Sequence, residues 1–223
     1  MYVLVPGAGG HAGYWRLVQQ QLTAAGVDSG AVSLPGPDPT QGLREYVDRV
    51  VAAAASSEDV VIVGQSLGGF AAAWAAAELG PRGLVLLNAM VPRPGESAGQ
   101  WWDATGSGAA RAENDQRIGR DPAAGVDADV HFLHDVPPSA VAPLGAPREE
   151  SAAVFEVPWG PSAWPDVPTR VLAGVDDRFF PLDFQRRIAR ERLGIDVETV
   201  PGGHLAALSH PAEVAAALLQ TSP

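Results

Sequence analysis

The sequence predicts an α/β fold, a mostly parallel sheet flanked by helices, in one domain over residues 1–223 with a small helical lid insert at about 92–165. Three observations predict it. Short, continuously apolar segments such as 60–63 and 84–87 alternate with segments of helical periodicity, the pattern of a sheet covered on both faces. The run Val60-Val61-Ile62-Val63 passes straight into Gly64-Gln65-Ser66-Leu67-Gly68, and an Ala-rich helical stretch follows over 70–79. That order of strand, tight turn and helix makes a common Gly-x-Ser-x-Gly match into a nucleophile elbow. Finally, 223 residues with 46% hydrophobic and 18% charged side chains suit one substantial core.

Residues 2–5 (Tyr-Val-Leu-Val) read as the first strand, and Pro6-Gly7-Ala8-Gly9-Gly10 as a flexible loop after it. Trp15, Val18, Leu22 and Ala25 recur at helical spacing, with Gly26 as the stop. Residues 27–34 form a weaker strand, and Pro35-Gly36-Pro37-Asp38-Pro39 excludes regular structure. Leu43, Val47, Val50, Val51 and Ala54 mark the next amphipathic helix. The Ser66 strand and helix follow, Gly80-Pro81 breaks the chain, and 84–87 are a fourth buried strand. Between about 92 and 165 the rhythm fails. Pro, Gly, Ala and Asp dominate there, alongside Trp101, Trp102, Trp159 and Trp164. A stretch of that length holds helices of its own; leaving the carboxyl end of a strand, it is placed to cover a site, and Trp101, Trp102 and His134 are its candidate substrate contacts. Regularity returns with a strand at 169–174, a helix at 182–193, a strand at 195–200, the loop Pro201-Gly202-Gly203-His204 and a last helix opened by Pro211.

Composition removes several function classes. With no cysteine there is no disulfide, thiolate metal site or Cys nucleophile. A formal net charge of −11 argues against nucleic acid or an anionic membrane as partner. All fifteen basic residues are Arg, so Schiff-base and Ser-Lys chemistry are out of reach. No apolar run approaches the length of a membrane span, and no basic-then-apolar leader opens the chain, so a cytoplasmic protein is expected. The glycines of the first loop have neither the Gly-Lys-Ser/Thr ending of a phosphate-binding loop nor dinucleotide spacing. The partner is a small-molecule substrate, with no cofactor or metal implied and the oligomeric state left open.

The remaining chemistry centres on Ser66. A serine hydroxyl is a poor nucleophile at neutral pH and needs a neighbouring base. Of five histidines, His204 follows the last strand and therefore shares the sheet edge with Ser66. His11 lies in the first loop, His131 and His134 in the insert, and His210 beside the helix-opening proline, where a capping role suits it. The imidazole needs an acceptor to fix its tautomer. Asp176 and Asp177 follow the strand ending at Gly174, and Glu96 follows the strand at 84–87 as another possible acid. An oxyanion needs donors: the N–H of Leu67 is the first, and the loop Gly7-Ala8-Gly9 is the source of a second.

In these segments the chain resembles the α/β-hydrolase superfamily, and within it the branch of small esterases that includes methyl esterases and hydroxynitrile lyases. The resemblance runs through 3–9, 63–69, 174–178 and 201–204, nearly the whole chain. It implies an α/β-hydrolase fold and a Ser66–His204–Asp177 triad, selecting Asp177 over Asp176, and it names the Ala8 N–H as the second oxyanion donor. It implies hydrolysis of a carboxylic ester or thioester of a small to medium apolar molecule, with lyase or cyclisation chemistry or non-catalytic ligand binding as the other uses of such a fold. Two features depart from the family: Pro6-Gly7 stands where His-Gly is usual, and the sheet starts at the strand that is usually third. Hydroxynitrile lyases of this fold typically carry a Lys near the site, and this chain has none.

Overall fold

Alternate side chains of a strand face opposite sides of a sheet, and strand β1 (Tyr2–Val5) divides its residues accordingly between two cores. The computed structural model describes residues 1–55, 57 and 59–220; the last three residues of the predicted domain lie outside them. Chain order continues with α1 (Arg16–Ala24), β2 (Ser29–Ala31), α2 (Leu43–Ala54), β3 (Val61–Gln65), α3 (Gly68–Leu79) and β4 (Gly83–Leu87). The insert carries α4 (Ala98–Thr105), α5 (Ser107–Arg117), α6 (Ala128–His131), α7 (Pro138–Val141) and α8 (Ala153–Glu156). After it come β5 (Thr169–Gly174), α9 (Leu182–Leu193), β6 (Val197–Val200), α10 (Ala206–Ser209) and α11 (Pro211–Leu219).

The strands join one parallel sheet in the order β2-β1-β3-β4-β5-β6. Val3, Val5, Ile62, Leu84, Leu86 and Val171 face a core closed by Leu43, Tyr46, Val47 and Val50 of α2, Phe70 of α3, and Phe184 and Ile188 of α9. Leu4, Val63, Val85, Leu87 and Leu172 face the other, closed by Val18 and Leu22 of α1 and by Val214 and Leu218 of α11. The central strands β1, β3 and β4 are thus covered twice, which is why their sequences run apolar without alternating.

Two strands are shorter than their sequences predict. β2 keeps three residues of the expected 27–34 because it is an edge strand paired only with β1, and Leu34 bonds instead to Gly10 of the first loop. β6, at the other edge, starts at Val197 rather than 195. The insert is built by caps and polar cross-links instead of periodicity. Ser97 and Gln100 form a reciprocal capping box at the start of α4, and Gly106 ends it in the left-handed region at φ 66°. Buried Asp115 of α5 then meets His131 of α6 at 3.1 Å and Arg120 at 2.8 Å. No helix among the described residues is long and apolar enough to cross a membrane.

Candidate active site

Because the strands are parallel, the loops leaving β1, β3, β4, β5 and β6 open on one edge of the sheet. Ser66 sits there in the turn between β3 and α3 with φ 51°, a left-handed conformation that a residue with a Cβ adopts only when its surroundings enforce it. Glycines enforce it here. A Cβ on Gly64 would lie 2.7 Å from that of Ala72, one on Gly68 would lie 2.3 Å from the Pro6 carbonyl oxygen, and one on Gly69 would lie 2.3 Å from that of Met90. The Met90 N–H donates to the Ser66 carbonyl at 3.0 Å, tying the elbow to the segment after β4. Gly69→Ala should therefore cost about 2 kcal/mol of stability, as overpacking against backbone does; an unchanged denaturant midpoint would show that the elbow has room to spare.

Ser66, His204 and Asp177 are brought together. The Ser66 hydroxyl donates to Nε2 of His204 at 3.0 Å, and Nδ1–H of His204 donates to Oδ2 of Asp177 at 2.8 Å. Both His204 and Asp177 are buried. Asp177 is itself held: Oδ1 accepts the Phe179 and Phe180 N–H groups at 2.8 Å each, and Oδ2 accepts from Gln185 of α9 at 3.2 Å. These bonds hold the carboxylate in place, and its Oδ2 fixes the imidazole with its proton on Nδ1, leaving Nε2 free to accept. Asp176 is exposed. Glu96 is turned away from the histidine and pairs with buried Arg192 of α9.

One residue that sequence reasoning passed over joins the two loops carrying His204 and Asp177. Asn88, the residue after β4, is fully buried with φ 46°. Its side-chain amide donates to the carbonyls of Gly203 at 2.9 Å and His204 at 3.1 Å, and its oxygen accepts the Gly174 N–H at 2.7 Å. The only sequence signal was an Asn, a residue tolerant of positive φ, directly after an apolar strand.

The first loop lies against the elbow. A Cβ on Gly7 would fall 2.9 Å from the Ser66 Cβ, so backbone of that loop runs alongside the serine. Leu67 occupies the N-cap position of α3. Among the described residues no protein acceptor takes the N–H of Ala8 or of Leu67. The imidazole of His204 is surrounded by Phe132, Phe179 and Phe180, at ring-centroid distances of 5.4, 5.0 and 5.0 Å. Trp102 packs on Phe179 and Phe180. Trp101 lies one layer further in, fully buried, with its indole N–H on the Val91 carbonyl; its ring supports the aromatic wall from behind. His134 lies beside Gly203, whose Cβ would fall 2.6 Å from the imidazole. Burial, and then the positive charge of Arg178, hold its pKa below the ordinary histidine value. His210 precedes α11, and its ring makes no capping bond to that helix; Nδ1 meets Ser209 Oγ at 3.0 Å.

Solved structures of the same architecture include a pyrethroid hydrolase from Sphingobium faniae JZ-2, 21% identical, covering 97% of this chain and 94% of that one with a TM-score of 0.75. Polyneuridine aldehyde esterase is 19% identical over 98% and 97% of the two chains, TM-score 0.74. Tomato methylketone synthase I, solved with 2-tridecanone, is 18% identical over 98% and 95%, TM-score 0.75. At these identities the likeness is one of fold. No curated protein matches the sequence. The model of the alpha/beta hydrolase family, however, matches residues 2–217, and the chain belongs to that family.

Proposed function

We propose that this protein is a serine hydrolase that cleaves a carboxylic ester or thioester of a small to medium, largely apolar molecule. The observation that carries the reading is the unbroken hydrogen-bonded line from Asp177 through His204 to Ser66, at 2.8 and 3.0 Å. As Ser66 Oγ bonds to the carbonyl carbon, its proton passes to Nε2 of His204. Asp177 stabilises the imidazolium so formed. The charge on the carbonyl oxygen is taken by the N–H groups of Leu67 and Ala8, which have no other acceptor to give up. Collapse expels the alkoxide or thiolate, which takes the proton from His204. Water, deprotonated by the same imidazole, then attacks the acyl-enzyme, and the carboxylic acid leaves with Ser66 restored. The wall of Phe132, Phe179, Phe180 and Trp102 supports an apolar substrate, and the 92–165 insert that supplies two of these residues acts as the lid over it.

The reading is tested by intact-mass detection of a fluorophosphonate adduct. One adduct per chain is expected on the wild type and none on Ser66→Ala or His204→Ala. A folded wild type that takes no label would overturn it. An acyl-chain series of esters and thioesters then separates hydrolysis from carbon–carbon chemistry, for which methylketone synthase shows that the fold is shared with enzymes of other names; labelling without release of acid from any member would favour that second use.

A further inference from the structure

Gly7-Ala8-Gly9-Gly10 carries no side chain larger than a methyl group. Such a loop has wide conformational freedom, and within it only the turn bond from the Gly10 N–H to the Gly7 carbonyl, at 3.1 Å, restrains its shape. A donor aimed at a reacting oxygen must nonetheless be fixed before the reaction. The anchor therefore has to come from elsewhere in the chain.

At the loop's far end the Leu34 N–H holds the Gly10 carbonyl at 3.0 Å; next to Ala8 the anchor comes from the insert. Oε2 of Glu150 accepts the Gly9 N–H at 2.8 Å. Oε1 accepts the Ser151 N–H at 3.1 Å and the hydroxyl of Tyr46, a buried residue of α2. Tyr46 in turn accepts the Gly36 N–H at 2.9 Å, and the Ser151 N–H also reaches the Gly36 carbonyl at 3.0 Å. Three chain segments meet here nearly backbone to backbone. A Cβ on Gly9 would lie 2.7 Å from the Arg148 carbonyl oxygen, and one on Gly36 would lie 2.8 Å from that of Gly9. Burial pushes the Glu150 carboxyl above its usual range, opposed by its bonds from Tyr46, Gly9 and Ser151 and by the charge of Arg148. A half-buried carboxylate costs stability unless its oxygens are bonded; here Tyr46 and Ser151 hold one oxygen while the other takes the Gly9 N–H of the loop beside Ser66.

We infer that Glu150 is a positioning residue for the oxyanion hole: by holding the Gly9 N–H it orients the preceding peptide units and aims the Ala8 N–H at the reacting carbonyl oxygen. The inference rests on the acyl-transfer reading of Ser66. Removing an oxyanion donor outright lowers kcat by about 100- to 1,000-fold; releasing one so that it wanders costs less.

The test compares E150A, E150Q and Y46F on an ester that the wild type turns over, with a trifluoromethyl ketone as transition-state analogue. E150A should lower kcat about 30-fold, change KM less than about threefold, and weaken the ketone by the same factor as kcat/KM. E150Q, whose amide oxygen can still accept the Gly9 N–H, should recover to within about threefold of wild type. If E150A does not fold, Y46F, which removes one holder of the carboxylate, should show the same pattern at about one third of the size. An E150A enzyme with kcat within twofold of wild type overturns the inference, as does E150Q impaired equally with E150A, or a loss of kcat that leaves ketone affinity untouched. A wild type that takes no phosphonate label brings down the acyl-transfer reading as well; a labelled wild type with an indifferent E150A brings down this inference alone.

Discussion

His204→Ala should lower kcat by about 100,000-fold with little change in KM, and Ser66→Ala should do the same. The two changes together should cost no more than either alone. That non-additivity is the signature of groups that act as one unit, since a serine without its base and a base without its serine both leave only substrate binding and the oxyanion donors at work. Asp177→Asn should cost about 10,000-fold, because an amide at Oδ2, 2.8 Å from Nδ1, can turn its NH2 to the ring and favour the tautomer with the proton on Nε2. Glu96→Gln should leave kcat within about twofold while lowering stability, since its carboxylate serves Arg192. Single-turnover and steady-state kinetics on the four single variants and the double variant check the set. A large loss in Glu96→Gln with an unaffected Asp177→Asn would reassign the acid.

Asn88→Ala should cost about 4 kcal/mol of stability and at least 100-fold in kcat. The Gly174 N–H and the Gly203 carbonyl, both buried, lose their partner, at about 1–3 kcal/mol each, and an alanine held at φ 46° adds about 1 kcal/mol of strain. The kinetic loss arises because Asn88 fixes the distance between the strand end that carries Asp177 and the loop that carries His204. Asn88→Gly relieves the strain and not the orphaned groups, so it should recover about 1 kcal/mol and almost none of the activity. Denaturant titration beside kcat measurement separates the two terms. Activity returning in step with stability would mean that Asn88 braces the fold without setting the geometry of the site.

The difference between what was legible in the sequence and what was not follows from the range of the interactions. Residues 60–70 announced their structure because the elbow is local: an apolar run, small residues two positions either side of Ser66, and a helix, all within a dozen positions. The parallel sheet was legible because burial on both faces writes itself into the central strands β1, β3 and β4. The edge strand β2 was overextended because Leu34 is buried without belonging to the ladder, its N–H turning to Gly10. The insert resisted reading because helices as short as 128–131 and 138–141 have no periodicity to detect, and its order comes from contacts such as Asp115 with His131. Asn88 and Glu150 stayed invisible for the same reason in sharper form. The partners that matter to the site lie 86 to 116 positions from Asn88 and 104 to 141 from Glu150 along the chain. Tryptophans made the opposite error easy: Trp101 is itself expected from the sequence to touch substrate, yet its fully buried ring serves the packing behind the wall.

The placement of Glu150 also bears on how this enzyme could be re-engineered. Between β4 and β5 the insert looks like a detachable cassette, and exchanging it for that of another family member is the natural way to transplant substrate preference. Its carboxyl-terminal end, however, reaches back across the molecule to grip the loop after β1. A chimera cut at the strand ends would carry away that grip and import a new specificity onto a slack catalytic centre. The productive crossover lies before Arg148, so that 148–151 stays with the host.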